Sequence, residues 1–167
     1  MMKHLFLNRH AKSDWGDSQM NDFDRPLNKR GMHDAPMMGK RLAERDHEID
    51  LIISSPAKRA ITTAKLMAQE LGYAVDDIQE EPKIYEAHVR ELLIIVNGLD
   101  NGYNSVIMYG HNPGFTDLAD YLTGAGILNL PTCGICKITF DFDDWAEVSA
   151  HTGKMEYMDF PKREVVK

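Results

Sequence analysis

Three short segments rich in apolar residues give this chain its clearest pattern. They lie at Leu5–Leu7, Asp50–Ser54 and Ser105–Tyr109, and their apolar residues follow one another without polar positions between them. Such an uninterrupted run is typical of a strand that is buried on both faces. We therefore predict three central strands in a sheet that helices cover on both sides.

Helical patterns alternate with these strands. The predicted helices are Gly31–Asp46, a helix that Ser55 and Pro56 begin and Gly72 ends, Val89–Val96 and Phe115–Leu122. Further predicted strands are Lys83–Tyr85, Cys136–Phe142 and Lys154–Phe160. The alternation predicts an α/β protein, a three-layer α/β/α sandwich on a mainly parallel central sheet. The length of 167 residues suits one domain, residues 1–167.

The polar segment Ala11–Asn28 lies between the first strand and the first helix and is unusually long for a connection. Connections longer than about 12–15 residues in compact domains are usually functional or disordered. The other connections are mostly short, so we expect no large lid insertion and an open binding pocket.

The composition argues against several classes of partner. The formal net charge of −7 disfavours binding to nucleic acid or to an anionic membrane. No stretch approaches the roughly 20 apolar residues that span a bilayer, and the three apolar residues near the N-terminus are too few for a signal peptide. We predict a cytoplasmic protein.

The two cysteines, Cys133 and Cys136, have the spacing of a redox pair or of half a zinc site. Redox pairs favour the start of a helix, and a structural zinc ion needs four ligands. This pair instead opens a strand-like run, in which residues three apart point to opposite faces. We predict two buried free thiols.

Basic side chains follow the three central strands where each one ends. Arg9 and His10 follow the first, Arg59 lies one turn into the helix after the second, and His111 follows the third. Parallel neighbours end at one edge of a sheet, where ligands bind and helix N-termini supply N–H donors. Guanidinium groups hold phosphate oxygens, and an imidazole can attack phosphorus. The pattern therefore predicts a phosphoryl-group site.

Four segments carry a resemblance to a known family. Leu7–Lys12 resembles the Arg-His-Gly signature of the histidine phosphatase (phosphoglycerate mutase-like) superfamily, and Ser54–Ala64 resembles its Ser-Pro-x-x-Arg-Ala-x-x-Thr motif. Gly110–Pro113 is similar to its second-histidine motif. Asp24–Gly31 resembles the segment after the first loop in SixA-like phosphohistidine phosphatases. The resemblance covers nearly the whole chain, from the first strand to the C-terminal strands.

The resemblance implies a role for each matching residue. His10 would be the nucleophile and would carry the phosphohistidine intermediate. Arg9, Arg59 and His111 would complete the phosphate pocket, and Arg25 would contact substrate or phosphate at the rim. The family's chemistry implies no cofactor and no metal. Ala11 stands where the family usually has glycine, a small-for-small change.

The proton donor for the leaving group is less well defined by the resemblance. The superfamily commonly uses a carboxylate on an inserted segment, and the nearest candidate is Glu86, with Asp14 as the weaker alternative. A phosphorylated imidazole needs less help from a general acid than an alkyl phosphate, because its leaving nitrogen is easily protonated near neutral pH.

These features predict a metal-independent phosphatase that removes phosphate from phosphohistidine in proteins. Two alternatives stay open at this point. One is a hydrolase of small phosphate monoesters that uses the same pocket with Glu86 as the acid. The other is a phosphate-recognising binding module without turnover. The predicted partner is a phosphorylated protein or a small phosphate ester, with no nucleic acid and no membrane.

Overall fold

The computed structural model describes residues 2–15, 20–46 and 48–162. Its strands are β1 (Lys3–Arg9), β2 (Leu51–Ser54), β3 (Gln79–Glu80), β4 (Ser105–Gly110), β5 (Ile135–Phe140) and β6 (Gly153–Asp159). Its α-helices are α1 (Lys29–Arg45), α2 (Lys58–Leu71), α3 (Val89–Asn97) and α4 (Gly114–Thr123). Single 3₁₀ turns lie at Asp22–Asp24, Val75–Asp77, Pro82–Ile84 and Trp145–Glu147.

One mixed sheet with strand order β3-β2-β4-β1-β5-β6 forms the middle of the molecule. Strands β3, β2, β4 and β1 are parallel to one another, whereas β5 is antiparallel to β1 and β6 is antiparallel to β5. The three strands predicted from their apolar runs, β1, β2 and β4, are adjacent. Their neighbouring positions bring their carboxyl ends to one edge.

The residues of β1 alternate between two separate cores. Leu5 and Leu7 pack with α3 and α4 on one face, and Phe6 packs with α1 and α2 on the other. Along β4, Met108 and Ile107 divide between the same two cores. Both faces are therefore apolar, which explains the unbroken runs in the sequence. The predicted three-layer α/β/α fold is confirmed.

Helix α2 begins later than predicted. Its N-cap is Ala57, and no side chain caps it. The prediction that Ser55 caps this helix is wrong, because the Ser55 hydroxyl accepts the N–H of Ala57 at 3.2 Å within the preceding turn. The same hydroxyl contacts His111. Ser55 therefore lies at the sheet edge where the strands end, and its hydroxyl is not used to cap α2.

The predicted strand at Lys83–Tyr85 is also wrong. This segment lies in a 3₁₀ turn that begins at Pro82, which has no N–H to donate to a strand ladder. The side chain of Glu81 accepts the N–H of Lys83 at 3.0 Å and stabilises the turn. The edge strand is instead β3, a two-residue strand of polar residues that has no apolar pattern to reveal it.

Cys133 and Cys136 are both buried free thiols, as predicted. Cys136 packs in the core on the side of α3 and α4, and Cys133 packs in the core on the side of α1 and α2. Burial raises the pKa of both thiols, that of Cys136 to about 12. A thiol with a raised pKa forms little thiolate and is poorly reactive.

Within the described ranges, no helix is long and apolar enough to cross a membrane.

The core position Ile107 allows a direct test of the fold. Ile107 lies in β4 and is fully buried, so we expect Ile107→Ala to lower the free energy of unfolding by about 2–5 kcal/mol. Urea denaturation followed by circular dichroism measures the change. The matched control is Ile94→Ala in α3, where the side chain is 64% exposed and we expect a change within about 0.5 kcal/mol. Similar losses in the two variants would contradict the assignment of Ile107 to the core.

Candidate active site

The carboxyl end of β1, the residues that follow β4 and Arg59 in the first turn of α2 form one wall of a cavity of about 300 Å³. Arg9 is paired with Gly110 and Ser54 with Tyr109 in the sheet register, so the residues that follow these strands are adjacent. The cavity is lined by Arg9, His10, Lys12, Ser13, Trp15, Asp22, Arg25, Arg59, His111, Asn112 and Thr132. The structure therefore brings together His10, Arg9, Arg25, Arg59 and His111.

The imidazole of His10 is held in one tautomer. Its Nδ1 lies 2.7 Å from the carbonyl oxygen of Ala11, and a carbonyl only accepts, so Nδ1 carries the proton. The other nitrogen, Nε2, is unprotonated and accepts a hydrogen bond from Nε of Arg59 at 3.3 Å. Nε2 is the nitrogen that carries the lone pair, and attack on phosphorus requires this lone pair to leave the N–H of Arg59.

The surroundings of His10 keep it neutral. Burial lowers its pKa, and the nearby His111, Arg59 and Arg9 lower it further, whereas the bond to Ala11 raises it; the net pKa is about 3. His10 is 7% exposed, so the charged form is poorly solvated. A neutral imidazole is the form that can act as a nucleophile.

Arg59 connects His10 to the loop that precedes α1. Its Nη1 donates to the backbone oxygen of Asp22 at 2.7 Å and its Nη2 donates to Oδ2 of Asp22 at 3.0 Å. Thr63, one turn further along α2, donates to the backbone oxygen of Arg59 at 2.7 Å and accepts the N–H of Ala11 at 3.0 Å. Thr63 thus ties the start of α2 to the residue after the nucleophile candidate.

Arg9 is the last residue of β1 and directly precedes His10, and it is partly buried. Its Nη1 donates to the backbone oxygen of Leu130 at 3.1 Å, and its Nε is buried without a hydrogen-bond partner. Burial lowers the pKa of Arg9, and the charge of Arg59 lowers it further. A guanidinium nevertheless stays protonated at any working pH.

His111 faces His10 across the cavity, with 5.3 Å between the ring centroids. Its Nε2 lies 2.8 Å from the hydroxyl oxygen of Ser55, which places the Ser-Pro motif against the second histidine. Burial lowers the pKa of His111, the charge of Arg59 lowers it further and Asp22 raises it, to a net value of about 3. The positive charge of the pocket therefore comes from arginine.

Arg25 lies deeper than the rim position that the resemblance implies, because Trp15 covers it. The guanidinium carbon is 3.4 Å from the centroid of the Trp15 ring, and Arg25 is only 7% exposed. Nη1 donates to the hydroxyl of Ser13, while Nε and Nη2 donate to Oδ1 of Asp22 at 3.1 and 3.0 Å. Arg25 still lines the cavity.

Asp22 is the site residue that sequence reasoning missed. Its carboxylate contacts both Arg25 and Arg59 and accepts the hydroxyl of Tyr85 at 2.6 Å. Partial burial raises its pKa, but the hydrogen bond from Tyr85 and the two arginines lower it to about 2. The one available sequence signal is the spacing of Asp22 and Arg25, which suits an ion pair across a helical turn.

The two carboxylates proposed as proton donors do not line the cavity. Glu86 is exposed and has a positive φ of 59°. Asp14 is exposed too, and its N–H donates to the backbone oxygen of Pro26 at 2.9 Å. Both acids therefore lie outside the described lining of the cavity, and their role as proton donors stays a prediction.

Residues 16–19 of the predicted loop Ala11–Asn28 lie outside the described residues. On either side of them, Ser13 and Leu27 form an antiparallel bridge. The N–H of Asn28 donates to the carbonyl oxygen of Lys12 at 3.0 Å, and a Cβ atom at Gly31 would collide with that same oxygen. The start of α1 therefore packs directly against the segment that follows His10.

The chain matches known proteins over most of its length. The model of the histidine phosphatase superfamily (branch 1) matches residues 5–92. An uncharacterised chloroplastic protein of Arabidopsis thaliana is 31% identical over 161 residues, which cover 90% of this chain and 72% of that protein.

Solved structures show the same architecture. SixA of Agrobacterium tumefaciens, a candidate phosphohistidine phosphatase, has a TM-score of 0.80 at 25% identity, with 95% of this chain and 98% of that chain covered. The protein histidine phosphatase SixA in complex with tungstate has a TM-score of 0.81 at 22% identity, with 95% and 97% covered. This chain belongs to the histidine phosphatase superfamily (branch 1), and its structure is similar to those of SixA proteins.

Proposed function

We propose that this protein is a phosphatase that works through a phosphohistidine intermediate on His10 and removes phosphate from phosphohistidine in other proteins. The observation that carries the proposal is the geometry of His10. Its Nδ1–H donates to Ala11, so the lone pair of Nε2 is directed toward Arg59, which lines the same cavity. A neutral nucleophile beside fixed positive charge suits attack on a phosphoryl dianion.

The residues around His10 supply what phosphoryl transfer requires. In the first step Nε2 of His10 bonds to phosphorus, the bond from phosphorus to the leaving group breaks, and the leaving atom takes the electron pair. Water then attacks the phosphorus, the bond to Nε2 breaks, and Nε2 recovers its lone pair. Both hydrogens of the water leave with the product, which is dihydrogen phosphate. Arg9 and Arg59 offset the negative charge on the phosphoryl oxygens in both steps.

The arrangement of acids favours a phosphorylated imidazole as substrate. An alkyl ester needs a general acid to protonate its leaving oxygen. Glu86 does not line the cavity, and Asp22 has a pKa of about 2, so neither is a protonated carboxyl group at the described lining of the cavity near neutral pH. Similarity to the Agrobacterium SixA, a candidate phosphohistidine phosphatase, supports the same substrate class.

Access to the cavity is consistent with a side chain of another protein. Of the described residues that line the cavity, Trp15 is 75% exposed and Lys12 is exposed, so this part of the rim faces solvent. A pocket of this shape admits a side chain that projects from a folded partner.

Metal independence is part of the proposal. Among the residues that the structure describes, no three His, Cys, Asp or Glu side chains are grouped so that they could hold a metal ion. The cytoplasmic location stays a prediction, and the similar Arabidopsis protein is chloroplastic.

The nucleophile is tested by His10→Ala. We expect a loss of at least about 10³-fold in kcat/KM on both a phosphohistidine peptide and p-nitrophenyl phosphate, because the covalent step has no other nucleophile. The matched control is His33→Ala, where the side chain is 77% exposed and full activity is expected. Assays with and without a chelator accompany both variants. Undiminished activity of His10→Ala would contradict the mechanism. Loss of the wild-type activity in the presence of the chelator would contradict metal independence.

The fork of Arg59 is tested by Arg59→Lys. Lysine keeps the charge but has no planar set of donors that contacts His10 and a phosphoryl group together, so we expect kcat/KM to fall about 10²-fold or more. The same substitution at the exposed residue Arg90 in α3 is the control, for which wild-type kinetics are expected. Equal activity of Arg59→Lys and wild type would show that charge alone suffices.

The protonation state of His10 is tested by NMR of its ring nitrogens. With a pKa of about 3, His10 should keep the signals of a neutral imidazole with Nδ1 protonated as the pH falls from about 8 to about 5. The unfolded chain protonates this residue near its ordinary value of 6.5, so folding stability should fall as the pH falls from 6.5 toward 3. A titration midpoint near 6.5 in the folded protein would contradict the buried, neutral site.

A further inference from the structure

Asp22 is an unexpected residue in a phosphate pocket. Of the described residues that line the cavity, it alone carries a negative charge near neutral pH. A carboxylate repels a phosphoryl dianion and, by itself, weakens its binding. Its place in the cavity therefore calls for a second role.

The contacts of Asp22 place it at the mouth of the cavity. Its side chain is 45% exposed, whereas His10 is 7% and Arg59 is 5% exposed. The carboxylate is also held in position, since Oδ1 accepts from Arg25 and Oδ2 accepts from Arg59 and Tyr85. The site thus has a nucleophile at its floor and a fixed anion at its opening.

In-line transfer determines which part of the substrate meets Asp22. The nucleophile and the leaving group lie on opposite sides of the transferred phosphorus. Because Nε2 of His10 is at the floor, the leaving group points toward the mouth. The floor and the mouth of the cavity are close together, because Arg59 contacts both. Its Nε is 3.3 Å from His10 Nε2 and its Nη2 is 3.0 Å from Asp22 Oδ2. One guanidinium group spans the distance between attacking nitrogen and carboxylate.

We propose that Asp22 is a specificity-determining residue, whose negative charge faces the free ring N–H of a phosphorylated imidazole and selects this leaving group over an anionic one. The inference rests on the proposed function and deepens it, because it identifies the leaving-group chemistry that the cavity recognises.

The bond changes need no protonated acid from the protein. A phosphorylated imidazole that is protonated on its free nitrogen is cationic, and a carboxylate nearby stabilises that form. The bond from phosphorus to the substrate nitrogen breaks, the electron pair goes to that nitrogen, and the ring leaves as neutral imidazole. The phosphoryl group bonds to Nε2 of His10. The proton on the other ring nitrogen stays where it is, close to the negative charge of Asp22.

The other ionisable groups near the leaving group do not duplicate this role. They are Lys12, Arg25 and the Tyr85 hydroxyl around Asp22, Arg59 on α2, and Arg9, His10 and His111 at the strand ends. The cations repel a protonated imidazole. The Tyr85 hydroxyl donates a hydrogen bond to Asp22. Burial and Asp22 raise the pKa of Tyr85 to about 12, so this hydroxyl stays neutral. Asp22 is the group among them that attracts the cationic ring.

The test compares Asp22→Asn with wild type on two substrates, a phosphohistidine peptide and p-nitrophenyl phosphate, whose leaving group is an anion. Asparagine keeps the size of the side chain and one acceptor oxygen but removes the charge. We expect the ratio of kcat/KM values, phosphohistidine over ester, to fall about tenfold or more. A loss on the ester measures any effect of the substitution on Arg25 and Arg59, so the ratio is the decisive quantity. Asp24→Asn, an exposed acid in the same 3₁₀ turn, is the matched control and should leave the ratio unchanged.

The pH dependence gives a readout that a merely structural role would not change. Asp22 raises the pKa of the bound imidazole, so wild type should keep its phosphohistidine activity to a higher pH than Asp22→Asn. We expect the alkaline limb of kcat/KM to lie about one pH unit lower in the variant, with no shift on p-nitrophenyl phosphate.

The outcomes separate this inference from the proposed function. Equal losses on both substrates and an unshifted alkaline limb, with wild-type phosphohistidine activity intact, would make Asp22 only a support for Arg59 and would overturn the inference alone. A wild-type protein that does not cleave phosphohistidine would overturn the proposed function, and the inference with it.

Discussion

The Nδ1–H of His10 donates to the carbonyl oxygen of Ala11 at 2.7 Å, and this bond decides the chemistry of the site because it leaves Nε2 as the nitrogen with a lone pair. Burial is the main reason why the pKa of this ring is low, and the charge of Arg59, which contacts Nε2 at 3.3 Å, lowers the pKa further. The same side chain offers a phosphoryl group a fork of donors. Nucleophile and charge are therefore placed by one short set of contacts, and each depends on the other.

The fold makes these contacts possible by its strand order. β1 lies between β4 and β5, and β2 lies on the far side of β4, so the residues that follow three parallel strands are brought to one edge. Thr63 then joins Ala11 to the first turn of α2 through two hydrogen bonds. This link holds the backbone on which the His10 tautomer depends. Thr63 of α2 thus supports the position of the His10 side chain through the backbone of Ala11.

The charges in the cavity give the floor and the mouth different roles: the floor binds the phosphoryl group, and the mouth selects the leaving group. Arg9 and Arg59 supply positive charge at the floor, while burial keeps His10 and His111 neutral. Asp22 places one anion at the mouth and is held there by Arg25, Arg59 and Tyr85. The floor suits a phosphoryl dianion, and the mouth suits a cationic ring. A substrate that combines the two charges in this order fits the site better than one with two anionic ends.

The sequence by itself determined the architecture and most of the site. Unbroken apolar runs revealed β1, β2 and β4, since strands buried on both faces need them, and polar residues at their ends located His10, Arg59 and His111. Local pattern failed at Lys83–Tyr85, where Pro82 and a side-chain hydrogen bond favour a 3₁₀ turn. Only the tertiary structure decided which acid enters the cavity. Glu86 and Asp22 are both carboxylates in polar segments, and spacing along the chain does not distinguish them. Contacts between distant segments do, because Arg59 and Tyr85 hold Asp22 at the mouth, 37 and 63 residues away in sequence.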